Sequence, residues 1–226
     1  MVVIWDIIKK TALFGWEEII YLVTYNIVTL ATLLAGPTLV TYGVSGGSAL
    51  LMLAGWALVF AIPPALFGLF WLTYQISLGN AVKFSTFWDG VKQHRKTAYV
   101  WGGINLVVIV TLLSNILFYQ AMEADWAAFV GQFFVGVLVV WLILQLMVLA
   151  MFPHMVEPGV RLATRNALSL IAINPFAIIG MAAIVIGEFL LGTYFQVVWG
   201  LFSVSLAALV ASVTVQELVQ ISRKDG

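Results

Sequence analysis

From Trp16 to Gln216 the chain is an almost unbroken succession of apolar runs, each long enough to cross a bilayer, and this restricts the fold more than any motif does. A hydrocarbon core about 30 Å thick needs about 20 consecutive apolar residues in a helix. Six stretches qualify, at about 16–35, 48–79, 97–119, 128–152, 171–191 and 194–216. Lipid offers backbone N–H and C=O groups no partners, so each stretch must close its own hydrogen bonds as a helix. With 63% hydrophobic residues, no sizeable water-soluble domain fits between them. The expectation is an all-α polytopic helical bundle of six transmembrane helices, with residues 1–226 as a single integral membrane domain. The opening MVVIWDIIKKTALFGWEE places its lysines behind the apolar residues and has no small-residue cleavage site, so it is expected to stay with the chain. The absence of cysteine excludes disulfides, thiolate metal sites and thiol catalysis.

Formal net charge is zero, so any electrostatic preference comes from where the charges sit. Lys9 and Lys10 precede the first span; Lys83, Lys92, Arg95 and Lys96 lie between the second and third. Arg161 and Arg165 lie between the fourth and fifth, and Arg223 and Lys224 follow the sixth. All ten basic residues therefore fall on one side. Segments 36–47, 120–127 and 192–193 contain none, and Glu123, Asp125 and nearby Glu188 collect on that opposite side. Chance would place ten charges on one face about once in 500 trials, so the positive-inside rule puts both termini in the cytoplasm. The expected location is a membrane, crossed several times.

The stretch KFSTFWDGVKQHRKTA, 83–98, holds four of the ten basic residues. Phe84, Phe87, Trp88 and Val91 stand at helical spacing on one face, while Lys83, Asp89, Lys92 and Arg95 point elsewhere, and Ser85 suits the N-cap. The pattern predicts a short amphipathic helix near 84–96 lying in the interface, its aromatics among acyl chains and its cations among headgroups. Each cation near an anionic leaflet contributes about 1 kcal/mol. Lys83, Lys92, Arg95, Lys96, Arg161 and Arg165 are accordingly the candidate lipid-headgroup or partner-binding residues. A nucleic-acid partner is not expected, because topology alone accounts for cations beside a bilayer.

Pro63 and Pro64 sit mid-way along the second span, where proline removes a backbone donor and crowds the preceding turn, so a kink or helix break is expected there. Asn174-Pro175 is milder, since proline is tolerated in a first turn. Small residues recur every four positions at Ala57, Ala61 and Ala65 and again at Ser203, Ala207 and Ala211, as helix contact faces do. A shift of 69 residues carries Lys92, Lys96, Ala98, Ile104 and Asn105 onto Arg161, Arg165, Ala167, Ile173 and Asn174, which is compatible with a duplicated unit and also with chance in a biased composition.

The chain has no phosphate-loop, nucleophile-elbow or zinc-helix motif. His154 and Glu157 are three apart but have no third ligand near them in sequence, so no metal or other cofactor is expected. His94, among cations, is read as a headgroup-level residue. Glu188 is the main ionisable group within a span, about 21 Å along the helix from Asn174, where it is expected to reach water near the outer surface. Asn26, Asn105, Asn115 and Gln145 lie deeper and suit bonds across helices. Most tryptophans fall near span ends, whereas Trp56 and Trp141 are expected to pack in the bundle.

The stretches PPALFGLFWLTYQISLGNAVKFSTFWDGVKQHRKTAYVWGGINLVV at 63–108, SNILFYQ at 114–120 and RNALSLIAINP at 165–175 together resemble the YesL-like family of bacterial integral membrane proteins. The likeness covers most of 63–221 and, more loosely, the first span. It implies a protein of the bacterial cytoplasmic membrane without catalytic residues to carry over, associated with carbohydrate uptake. The chain departs from the family pattern by an extra apolar stretch at about 41–62 and by Leu66 and Phe67 where small or hydroxyl residues are usual. The functional expectation is a non-enzymatic accessory or assembly protein assisting a carbohydrate transport system, with the lipid bilayer and a membrane protein such as a transporter as partners. The alternatives are a small-solute carrier and a lipid- or pigment-binding subunit of a larger complex.

Overall fold

A computed structural model describes residues 2–224, apart from the side chains of Val2, Val198, Arg223 and Lys224. Its elements are α1 (Val2–Glu17), α2 (Ile19–Ser45), α3 (Ala49–Ser77), α4 (Phe84–Gln120), α5 (Asp125–Met151), α6 (Val160–Ile173), α7 (Pro175–Tyr194) and α8 (Gln196–Lys224), with a 3-10 turn at Phe152–His154. Among the described residues there is no strand. Helices α2 to α5, α7 and α8 are long and apolar enough to cross a bilayer, and the chain is a multi-pass helical bundle.

Several boundaries differ from those the hydropathy predicts. Residues 36–45, expected as a loop, continue α2 through Pro37. The amphipathic stretch near 84–96 is not a separate interfacial helix but the first third of the 37-residue α4, capped by Lys83, whose N–H donates to Thr86 Oγ1 at 3.1 Å, and not by Ser85. A straight helix of that length is about 56 Å long, nearly twice the hydrocarbon thickness. Lys92, Arg95 and Lys96 are exposed on one side of this segment, while Phe87 and His94 on the other pack against α2 and α3, so it belongs to the basic end of the bundle. Gly79, in the left-handed region at φ 73°, makes the turn out of α3 that allows this.

Pro63 and Pro64 do not break α3, which runs unbroken from Ala49 to Ser77. The Pro63 ring seats against Gly102 of α4, where an added Cβ would come within 2.4 Å of the ring. Packing of α3 on α4 thus holds the helix where the lost backbone bond alone favours opening it.

The packed core is confined to the basic end. It gathers Phe67 to Leu72 of α3, Phe87 and Ala98 of α4, Met147 to Ala150 of α5, Met181 of α7 and Ala207 to Leu218 of α8. Toward the opposite end α2–α3 and α4–α5 continue as two-helix arms, while a third, α7–α8, stays packed on α2 through Asn26. In the first arm the buried residues beyond Thr32 and before Pro64 are Gly36, Gly43 and Gly55. A Cβ at Gly43 would meet the Met52 backbone nitrogen at 2.5 Å and one at Gly55 the Val40 nitrogen at 2.5 Å. Glycines, and not the Ala57 stripe, therefore make this seam; Ala57 is exposed. On α8 the Ser203, Ala207 and Ala211 stripe is fully buried, as its spacing suggests.

The Gly102 contact makes a clear prediction. Gly102→Ala should lower stability in detergent by about 1–3 kcal/mol through overpacking against Pro63. Gly103→Ala meets nothing within 4 Å and should be neutral or stabilising by up to about 1 kcal/mol. Denaturant unfolding followed by circular dichroism compares the two.

Candidate functional site

The polar side chains inside the bundle form two amide-centred clusters and a Thr73–Ser212 hydroxyl pair, 2.8 Å apart, that joins α3 to α8, and they leave a few groups unbonded. The first cluster joins α4 to α5. Trp101 Nε1 donates to Gln145 Oε1 at 2.8 Å, Asn105 Nδ2 donates to the same oxygen at 3.2 Å and to the Trp101 carbonyl at 2.9 Å, and Trp141 Nε1 donates to Asn105 Oδ1 at 3.0 Å. Asn105 and Gln145 thus meet each other, as their depth suggests, with Trp101 drawn in from an expected interfacial position. Asn115 donates only to the Thr111 carbonyl of its own helix, at 2.8 Å. Trp56, expected within the bundle, is exposed.

The second cluster joins α2 to α8. Asn26, fully buried, donates through Nδ2 to the Gly200 carbonyl at 2.8 Å, and its Oδ1 accepts from the Val204 and Ser205 N–H groups at 2.8 and 2.9 Å. Gly200 and Val204 are the acceptor and donor of one helical rung, so one amide side chain bridges a backbone rung of a neighbouring helix. The arrangement needs an amide, because only Asn and Gln offer donor and acceptor side by side.

The basic surface stands apart from both clusters. Lys83, Lys92, Arg95 and Lys96 are exposed at the start of α4, and Arg161 and Arg165 are exposed on α6, an amphipathic helix that the hydropathy reading leaves as connecting chain. Phe87, expected among acyl chains, is instead in the core, stacked on Tyr25 with ring centroids 4.2 Å apart, and the Tyr25 hydroxyl donates to the Phe84 carbonyl. Trp88 and Phe84 remain exposed. The 69-residue shift carries His94, Ala98 and Trp101 onto Ala163, Ala167 and Leu170, all buried, so α4 and α6 present the same face inward. Lys10 pairs with Glu217, tying α1 to the end of α8.

Two further expectations about single residues, beyond Trp56 and Phe87, are overturned. His94 is 3% exposed and lies between the Phe67 and Trp71 rings, with centroids at 6.1 and 5.6 Å. Among the described residues neither of its ring nitrogens has a hydrogen-bond partner. Its side chain points to the α3 face while Lys92, Arg95 and Lys96 point away, a helical phase that charge content conceals. Glu188 does not reach water: both carboxylate oxygens are buried and, among the described residues, neither has a partner. The Ser203, Thr29 and Thr11 hydroxyls are buried and unpartnered in the same sense. Thr11 also lines a cleft of about 350 Å³ bordered by Ile8, Trp16, Ile184, Phe202 and Leu206.

Comparison of the chain with protein-family models, with curated proteins and with solved structures returns no match. Function is therefore argued from these residues.

The Asn26 bridge should be measurable locally. Asn26→Leu removes three bonds, and about 1–3 kcal/mol of stability is expected to go with them. Amide hydrogen exchange over 200–205 should quicken while the α4–α5 cluster is unaffected.

Proposed function

We propose that the protein is a non-enzymatic accessory or assembly component of another membrane system, seated in a bacterial cytoplasmic membrane with both termini in the cytoplasm. The observation that supports this most is the state of the deep polar residues. Asn105, Trp101, Trp141 and the Gln145 side-chain oxygen are occupied with one another, and Asn115 with its own helix, so most of the groups a solute path would use are already bonded. A carrier needs such groups turned toward a cavity near mid-depth. The three arms, by contrast, offer broad apolar flanks such as Phe129, Phe133, Leu106 and Phe60, on which another membrane protein can pack. The exposed side of α4 with Lys92, Arg95 and Lys96 adds a cationic contact at the basic end. A carbohydrate transporter, which the YesL-like resemblance implies, is the partner class to test first.

The apolar cleft beside α1 favours a second reading, a lipid-binding subunit, since its size and lining suit part of an acyl chain. Lipid retained through mild detergent and lost with Gly15→Phe, which fills the cleft, would support that reading over the first.

The absence of cysteine makes topology simple to test. Single cysteines at Ser45 and Lys92 should label from opposite sides of sealed membranes, Lys92 from the cytoplasm. Neutralising Lys92, Arg95 and Lys96 together should weaken orientation or the recovery of a sugar transporter after gentle extraction, with helix content unchanged. Unaltered topology together with unaltered recovery would remove both roles of the basic turn, and solute flux in liposomes containing only this protein would displace the accessory reading.

A further inference from the structure

Ionisable groups within membrane spans are costly and are kept where they pair or act. Glu188 is such a group, and the antiparallel α7–α8 arm fixes what it faces. Gly192 lies against the Trp199 ring so closely that a Cβ would come within 2.2 Å of it, and Phe189 meets the same ring edge-on at 6.1 Å. One turn back on α7 and one turn forward on α8 bring Glu188 level with Ser203. Glu188 shares the helix face of Met181, Val185 and Gly192, and Ser203 that of Trp199 and Ala207, so the two residues stand on the facing sides of the α7–α8 seam. Ser203 is 0% exposed, and among the described residues neither its hydroxyl nor the Glu188 carboxylate has a partner. The Asn26-bridged rung from Gly200 to Val204 encloses Ser203, so α2 holds this turn of α8 in place.

Among the described residues no cation is placed to neutralise the acid. Helix α8 carries no ionisable residue between Gln196 and Gln216. On α1, Asp6 lies in the half that meets α7 near Gly180, Lys9 sits over the Trp5 ring at 5.2 Å, Lys10 is paired with Glu217, and Glu17, like Glu18 after it, is itself an acid. Arg161 and Arg165 of α6 are exposed. An unpaired carboxylate in such surroundings takes up a positive ion.

We propose that Glu188 and Ser203 form an intramembrane binding site for a small monovalent cation, H+ or Na+, with the carboxylate supplying charge and the hydroxyl a second oxygen. The site is independent of the accessory role, since it concerns a different arm from the α4–α5 polar cluster.

The test uses the full-length protein in liposomes and dicyclohexylcarbodiimide, an apolar reagent that modifies protonated carboxyls, with the modified residue located by mass spectrometry. Glu188 should be labelled, and the rate should fall about tenfold per pH unit above its midpoint. Slowing by sodium chloride but not by choline chloride identifies Na+ as an occupant; equal rates in the two salts identify H+ alone. Glu188→Gln should abolish the adduct. Ser203→Ala should move the midpoint, and Ser203→Thr, which keeps a hydroxyl, should restore it. Absence of a Glu188 adduct at every pH, or labelling indifferent to both pH and sodium, overturns the proposal, because a carboxyl closed to exchange is not a binding site. An unchanged midpoint in both Ser203 variants overturns the part given to the hydroxyl.

Discussion

A peptide group that enters hydrocarbon must bring its hydrogen-bond partner with it. That requirement makes each crossing a helix and also governs what happens between helices. Lipid tails are as apolar as leucine, so nothing squeezes helices together as water does, and association rests on close contact and on polar groups that meet. Both devices are present. The α2–α3 arm is joined by glycines that let backbone touch backbone, and the α2–α8 and α4–α5 seams are joined by amide side chains that bond across them. Asn26 is the extreme case: it extends the backbone ladder of one helix through the side chain of another.

Against this background the unsatisfied groups are informative. A buried polar group without a partner costs about 1–3 kcal/mol, and more if charged. His94, Ser203 and Glu188 carry that cost, while other deep polar residues a turn or two away are saturated. His94 is boxed by aromatic rings at the foot of the bundle, and Glu188 lies within an arm. The fold tolerates both because neighbouring seams, the Trp101–Gln145 cluster for one and the Asn26 bridge for the other, hold their surroundings rigid.

The helical class, the number of crossings and the gathering of basic residues at one end were legible in the chain, because they follow from hydropathy and charge, which are properties of segments. The Ser203–Ala207–Ala211 face was legible for a similar reason: small residues at one helical phase leave few other uses. What escaped depends on residues distant in sequence. Whether Pro63 opens α3 is decided by Gly102, and whether Ala57 or Gly55 forms a seam is decided by α2. The basic turn was read as lying flat because its aromatic phase suits an interface, yet Phe87 finds Tyr25 and the segment stands upright as part of α4. Within the candidate site, Glu188 was visible as the odd charge in a span. Its facing Ser203 was not, since the hairpin register is set by Trp199 packing on Gly192. The strongly amphipathic α6 carried a signal in the 3.6-residue spacing of its apolar side chains that hydropathy averaging removes.

The helix pairs give the two faces of the bilayer different neighbours. Around the basic end, lipid meets the rim of one packed protein body; toward the other end, acyl chains meet the separate flanks of the α2–α3 and α4–α5 pairs and become part of the packing. A lipid that is short, stiff or bulky is therefore felt in one leaflet and scarcely in the other.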